Sequence, residues 1–459
     1  MTKKEIPKKW KAYQKICFRF AFICFLLFIL LMDWSVNPIL SQLYYYGPLS
    51  TLLDNLVTWV GQELLGISDI IISPYDGEHN DRTYVYLLYT IITVIAVIGS
   101  FVWSLVDKKR QNYQQAYYWL TAIIRYYLAF TMFLFALEKF FKTQFPDLGY
   151  YTLTERVGDM SPMHLAWAFF GYSYTYNIFM GLAESAALLL LFRRTTTLGA
   201  LLTMATLSNV IVVNYNYDVH AKMYPTALFL MAFFLILRDV NRIVEFFISE
   251  KPVSLPAIKA PKFKQRWMSK AKIILKSAVI GYFMIYLIYD YTNYNKSINE
   301  DTSMKAKYLG IYDVNSFIIN NDTLSMSDPA RWNQIIIGDQ LLEAIRFQED
   351  SLAYIKSLAE KNEIIVYGDP TELAVKMQEI YNEKGLSDAT WMQMDSILVN
   401  RQIASRFRFE IINDSIVHFE GSIKNDSIYL VAKRNGKAIN SFRLMKRRFH
   451  WINETSYFY

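Results

Sequence analysis

Reactive side chains are scarce in this chain: its 459 residues include only two cysteines and five histidines. Cys17 and Cys24 stand in one apolar run, ~10 Å apart along a helix axis, too far for a mutual disulfide. No CxxC pair and no Cys/His set with metal-ligand spacing occurs, which argues against thiol-redox chemistry or a metal site carried by this chain alone. A Gly-rich phosphate loop, an HExxH motif and a Ser/His/Asp arrangement are missing as well. Charge is sparse, at 19% of residues, and the net +7 does not form a nucleic-acid footprint. The cations gather at the ends of apolar runs, as the positive-inside rule expects of a membrane protein.

What the chain has is long hydrophobic runs. It is 53% apolar, yet the mean hydropathy is only +0.14, the signature of a membrane part diluted by a soluble one. Ile16–Met32, Tyr84–Val106, Ala116–Phe141, Leu165–Phe192, Leu198–Val213, Pro225–Phe247 and Ile273–Tyr289 each approach the ~20 residues needed to cross hydrocarbon. That predicts seven transmembrane helices. The basic start KKEIPKKWKAYQK and the lack of a small-x-small cleavage site after Met32 make the first run an uncleaved span with a cytoplasmic N-terminus. Lys108-Lys109-Arg110, Arg193-Arg194 and the Lys251–Lys276 segment alternate with loops poor in Lys and Arg, so all three fall on the cytoplasmic side. An odd number of spans then puts the tail outside the cell membrane, in the periplasm.

Between the first two spans, Leu52, Leu53, Leu56, Val57, Val60, Leu64 and Leu65 recur at helical spacing, with a capping box at Thr51 and Asp54 and a stop at Gly66. This reads as an amphipathic surface helix. Lys251–Lys272 is Pro- and Lys-rich without apolar period, a cytoplasmic linker suited to anionic lipid. From Thr292 onward the composition turns soluble: SRFRFEII, SIVHFEGSIK, SIYLVAK and AINSFRLM alternate like strands, split by Asn-Asp and Asn-Gly turns, with one helix expected over Pro370–Lys384. The fold class is therefore an α-helical polytopic membrane protein with a C-terminal β-rich α+β domain. Its segments are 1–115 (two spans and the surface helix), 116–248 (a four-helix core), 249–272 (linker), 273–290 (last span) and 291–459 (external domain).

The chain is organised around Gly181–Lys222, two apolar runs joined by Arg193-Arg194. Ionisable groups inside apolar spans are costly and mark sites. Arg125 and Glu184 fall at equal depth, ~13 Å from the cytoplasmic face, where they can pair. Such a pair either sets helix register or anchors a ligand head group or proton relay. Nearer the outer face, Glu138, Lys139, Asn214, Asp218, His220 and Lys222 form a second polar set, joined by Asp159 and His164, with Asn209 inside the second run. They can ring a ligand or make a polar rim, with Tyr215, Tyr217 and Tyr224 in an aromatic belt.

The GLAE…LLLLFRRTTTLGALL…N…YD…K pattern, with RYYLAFTMFLFALEKFF at Arg125–Phe141, GDMSPMHLAWAFFGYS at Gly158–Ser173 and FHWINE at Phe449–Glu454, resembles the DoxX-like membrane family, in its larger members with extra spans and a soluble tail. The resemblance implies a four-helix core over about Ala116–Phe247. Some relatives are linked to quinones in membrane redox assemblies. It therefore implies a quinone- or lipid-binding component of a redox system, with membrane lipid and a redox or envelope protein as partners. A non-catalytic envelope scaffold is the alternative. A fainter similarity to vitamin K-dependent carboxylases implies chemistry at Lys222 and His220.

Overall fold

The computed structural model describes residues 9–32, 48–67, 81–249, 252–255, 265–305, 308–338, 341–346, 352–354, 357–360, 363–367, 403–413, 415–423 and 426–446. The expected Pro370–Lys384 helix, the FHWINE motif and residues 251 and 256–264 of the expected linker lie outside these residues. The chain divides into two compact units, Met1–Pro146 with Ser161–Asn293 and Asp147–Met160 with Tyr294–Tyr459.

The first unit is helical. Its elements are α1 (Ala12–Leu31), α2 (Pro48–Trp59, continued by a π-helical turn to Leu64), α3 (Thr83–Val106) and α4 (Gln114–Phe140). After α5 (Tyr150–Thr154), which belongs to the second unit, come α6 (Pro162–Tyr172), α7 (Tyr174–Ser185), α8 (Thr196–Asn216), α9 (Met223–Ile236), α10 (Val240–Phe247) and α11 (Arg266–Lys305), whose residues after Asn293 are counted with the second unit. Among the described residues, six stretches are long and apolar enough to cross a membrane: α1, α3, α4, Tyr174–Leu191, α8 and Lys270–Lys296 within α11. The seventh apolar helix, α9, has only 14 residues.

Two of the expected spans are broken, each at a polar residue. Ser173 takes an extended backbone and its hydroxyl accepts from Tyr176 N at 3.3 Å, so an N-cap divides the Leu165–Phe192 run into α6 and α7. The end of that run, Ala186–Leu191, tightens to a 3-10 helix. The Pro225–Phe247 run stops at Leu237, because Asp239 is buried and gathers Arg238 (2.7 Å), Arg242 (2.8 Å) and the Thr197 hydroxyl (2.8 Å) into a knot. A third expectation shifts: α2 begins at Pro48 and carries Thr51 inside it, while Asp54 accepts from Tyr84 Oη at 2.7 Å. Gly66, with φ +66°, does end that helix.

Helix α4 is the axis of the unit, buried on most of its faces. Close approach around it depends on small residues, as expected where helices gain little from excluding water. A Cβ on Gly199 would stand 3.0 Å from the Leu190 backbone nitrogen, so the approach of α8 to the 3-10 segment at that point is as close as a glycine allows. Tyr224 is 3% exposed: its ring stacks on Phe28 at 5.8 Å and its hydroxyl meets that of Tyr127 at 3.0 Å. It is a core residue, whereas Tyr215 and Tyr217 are exposed.

The second unit holds an antiparallel sheet of β1 (Gly310–Ile319), β2 (Asp322–Thr323), β3 (Gln334–Gly338), β4 (Leu341–Arg346), β5 (Leu352–Tyr354), β6 (Ser357–Glu360), β7 (Glu363–Tyr367), β8 (Ile403–Asn413), β9 (Ile416–Ile423) and β10 (Asp426–Arg434). Strand order is β5-β4-β3-β1-β10-β9-β8-β7-β6, with β2 on β1, and the sheet curls until β6 returns against β4. Asn320 and Asn321, both at positive φ, make the β1–β2 turn. Alternation buries Ile428, Leu430 and Ala432 of β10 against Phe317, Ile335, Phe407 and Phe419.

The expected last strand is absent. AINSFRLM instead forms a 3-10 turn (Ile439–Ser441) and the short α12 (Arg443–Lys446). Its apolar residues Ile439, Phe442 and Met445 recur every third position, and they pack with Tyr150, Ile311 and Ile336. Tyr150 brings Asp147–Met160, a loop between helices of the other unit, into this one.

Candidate functional site

The paired charges at the centre of the helical unit are not the expected ones. Glu184 Oε1 lies 3.0 Å from Lys139 Nζ, with the two side chains 3% and 7% exposed. Arg125 instead donates from Nε to the Leu190 carbonyl at 2.7 Å. Arg125 stands level with Leu190, six residues past Glu184, and Lys139 lies 14 residues farther along α4, ~21 Å at α-helical rise. The 3-10 rise of Ala186–Leu191, ~2.0 Å per residue against ~1.5 Å, adds only ~3 Å to that offset. Lys139, whose side chain leans back along α4 toward its N-terminus, takes the carboxylate.

The pair is a tight one. Lys139 Nζ also stands 5.4 Å from the Phe135 ring centre, 5.9 Å from that of Phe145 and 4.0 Å from Glu138 Oε2. Glu184 Oε2 is buried and has no hydrogen-bond partner among the described residues, and the same holds for the hydroxyls of Thr131 on α4 and Thr203 on α8. Buried acceptors left open in this way are few in folded proteins and call for a donor. A ligand O–H or N–H can supply one to Glu184.

The second expected set resolves into separate pieces. Lys222 Nζ is held between Asp218 at 2.9 Å and Asp81 at 3.5 Å. Asp81 also accepts from the Lys222 and Met223 backbone amides (2.9 and 3.3 Å), so it caps α9 from 141 residues away. The hydrogen bond and charge of Lys222 hold the exposed Asp218 carboxyl below the usual carboxylate range, and Asp218 in turn raises Lys222. A lysine fixed between two carboxylates is a poor base, which gives the carboxylase idea no support. Asn214 Nδ2 closes the turn on the Ala221 carbonyl at 2.7 Å. The His220 side chain is exposed, its carbonyl accepting from Asp81 N, and Asn209 is exposed on α8. Asp159 belongs to the sheet unit; His164 stands in the first turn of α6, its amide on the Ser161 hydroxyl.

Sequence reasoning passed over four polar residues. Asp81 left no local signal, because its target is remote in sequence. Arg19, buried in α1, was visible as a lone cation in an apolar run. It donates to Tyr113 Oη (2.9 Å), Ser104 Oγ (2.6 Å) and the Asp107 carbonyl (2.9 Å), fastening α1 to α3. Asp239 was visible only as a charge beside Arg238. Lys276 of α11 donates to the Leu191 carbonyl at 2.8 Å, next to the carbonyl taken by Arg125. Together these two cations satisfy the end of the 3-10 helix, where the backbone dipole is negative.

Neither a family profile nor a solved structure matches this chain. The chain is 34% identical over 132 residues to "Uncharacterized protein YwoB" of Bacillus subtilis (strain 168), a match covering 28% of this chain and 84% of that protein.

Proposed function

We propose, from the site itself, that this chain, which belongs to the family of the Bacillus subtilis protein YwoB, is a multi-pass membrane protein binding a quinone head group at Glu184 and Lys139, as a component of a membrane redox system. On this reading the N-terminus and the Arg193-Arg194 turn are cytoplasmic, the sheet unit is extracytoplasmic, and the helical unit is the DoxX-like core with its additional spans. One observation carries it: an ionisable carboxylate, 2% exposed, keeps Oε2 open beside a single lysine. That donor-acceptor set fits the reduced, quinol form of the head group, whose hydroxyl can donate to Oε2 while Lys139 balances the charge. A bound quinone would supply electron and proton transfer. The chain's own residues would orient it, exclude water with Phe135, Phe140 and Phe145, and take up a proton at Glu184. The test is mass spectrometry of organic extracts from protein purified in mild detergent. A stoichiometric quinone retained by wild type and by Asp218→Ala, and lost in Glu184→Gln, is the expected result. Folded protein lacking quinone in every sample would overturn it.

A second reading, an envelope scaffold, is favoured by the sheet unit. An open cleft of about 700 Å³ there is lined by Ile311, Val314, Arg346, Lys437 and Phe442 among others. It predicts that a partner protein is lost on Lys437→Glu while Glu184→Gln keeps it, as crosslinking in whole cells would reveal.

A further inference from the structure

We propose that a phosphate-bearing anion binds where α4, α11 and the turn at Arg193 meet, held by Arg125 and Lys276. The inference stands apart from the quinone reading, 14 residues (~21 Å) back along α4 from Lys139. Arg125 is 3% exposed, and its one hydrogen bond among the described residues is the one from Nε to Leu190. A guanidinium carries five N–H donors, so both Nη groups remain without a hydrogen-bond acceptor among those residues. A buried arginine is ordinarily matched by a carboxylate. Among the described residues the groups that act electrostatically on Arg125 are the Tyr126 and Tyr118 side chains and then the cations Arg193 and Arg238; Arg125, Arg193 and Lys272 act on Lys276. Arg238, also within reach of Arg125, is already matched by Asp239 at 2.7 Å.

The geometry favours phosphate. Arg125 and Lys276 sit on the consecutive carbonyls of Leu190 and Leu191, which brings a planar fork and a point charge side by side. Lys272 and Lys276, one turn apart, lie against the Tyr118 and Tyr126 rings of α4 at 5.5 and 6.0 Å. Two basic elements flanking aromatic rings at the end of apolar helices make a headgroup pocket of the kind anionic lipids fill. A lipid phosphodiester and a free phosphate share this chemistry.

The experiment uses the full chain, delipidated in detergent, with native mass spectrometry to count added phosphatidylglycerol, phosphatidylcholine or inorganic pyrophosphate. Phosphatidylglycerol should bind at least about tenfold tighter than phosphatidylcholine, and Lys276→Gln and Arg125→Gln should each abolish at least about tenfold of that affinity, the worth of one hydrogen bond to a charged group. Glu184→Gln should bind like wild type. Pyrophosphate binding with the same dependence on Lys276, and no lipid preference, would support the site and identify its source as free phosphate. Equal binding of both lipids with no pyrophosphate, or a preference untouched by Lys276→Gln in folded protein, overturns the proposal. Should Arg125→Gln fail to fold, Lys276→Gln decides alone.

Discussion

Replacing Lys139 by methionine leaves Glu184 as a carboxylate deep in the helical unit with no counter-charge. Breaking a buried pair by removing one partner costs ~3–5 kcal/mol, because the surviving charge has lost its solvation twice over, once to burial and once to its partner. Glu184 has no reserve: its side chain is 3% exposed and Oε2 already lacks a hydrogen-bond partner among the described residues. Lys139, deprived of Glu184 by Glu184→Gln, keeps Glu138 at 4.0 Å and the rings of Phe135 and Phe145. The two single variants should therefore differ, Lys139→Met losing ~4 kcal/mol and Glu184→Gln ~2. The double variant, with both charges removed, should be no worse than the milder single. Reversible unfolding in detergent with increasing denaturant measures all four corners of the cycle, and a coupling energy of roughly 3 kcal/mol or more is the expectation. Additive single effects below about 1 kcal/mol would show the pair behaving as an exposed salt bridge, and would refute the argument that its burial matters.

Three other perturbations test particular contacts. Asp81→Asn should lower stability by ~1–3 kcal/mol in the same unfolding assay, since it weakens both the cap on α9 and the ion pair with Lys222. Asp218 has a depressed carboxyl, so its contribution is present above about pH 4 and is lost as pH falls through the lower folded value; wild type should lose stability in that window relative to Asp218→Asn, and coincident acid profiles would count against the Lys222 contact. In the sheet unit, Arg331 is 2% exposed and donates to the Leu324, Val314 and Asn315 carbonyls (2.8, 2.9 and 3.2 Å). Arg331→Met should raise hydrogen exchange across residues 314–324 by about tenfold or more, read by mass spectrometry on the full chain.

Much of the fold was legible because hydrophobic runs and strand alternation are local signals. The runs at Ile16–Met32, Tyr84–Val106 and Ala116–Phe141 fall within a few residues of α1, α3 and α4, and SRFRFEII, SIVHFEGSIK and SIYLVAK became β8, β9 and β10. Errors came where apolar composition masks a break. Ser173 and Arg238-Asp239 stop helices through contacts, so their runs look continuous, and the Ile439–Phe442–Met445 triplet reads as strand unless its period of three is weighed. Of the site, the sequence marked Arg125 and Glu184 as a costly pair and placed Lys139 in the outer polar set, whereas Lys139 takes Glu184 and Arg125 takes a backbone carbonyl.

Composition and period alone determined that the chain has a helical part with long apolar helices, a β-rich C-terminal part and ionisable groups among the helices, because burying an apolar face or crossing an apolar layer constrains residue type position by position. Only the tertiary structure decided which charge meets which. Whether Lys139 or Arg125, ~21 Å apart on α4, meets Glu184 turns on how far α4 and α7 are displaced along each other, and the cap on α9 turns on an aspartate 141 residues away. Ion pairs depend on distance in space, and hydrophobic periodicity carries no information about it.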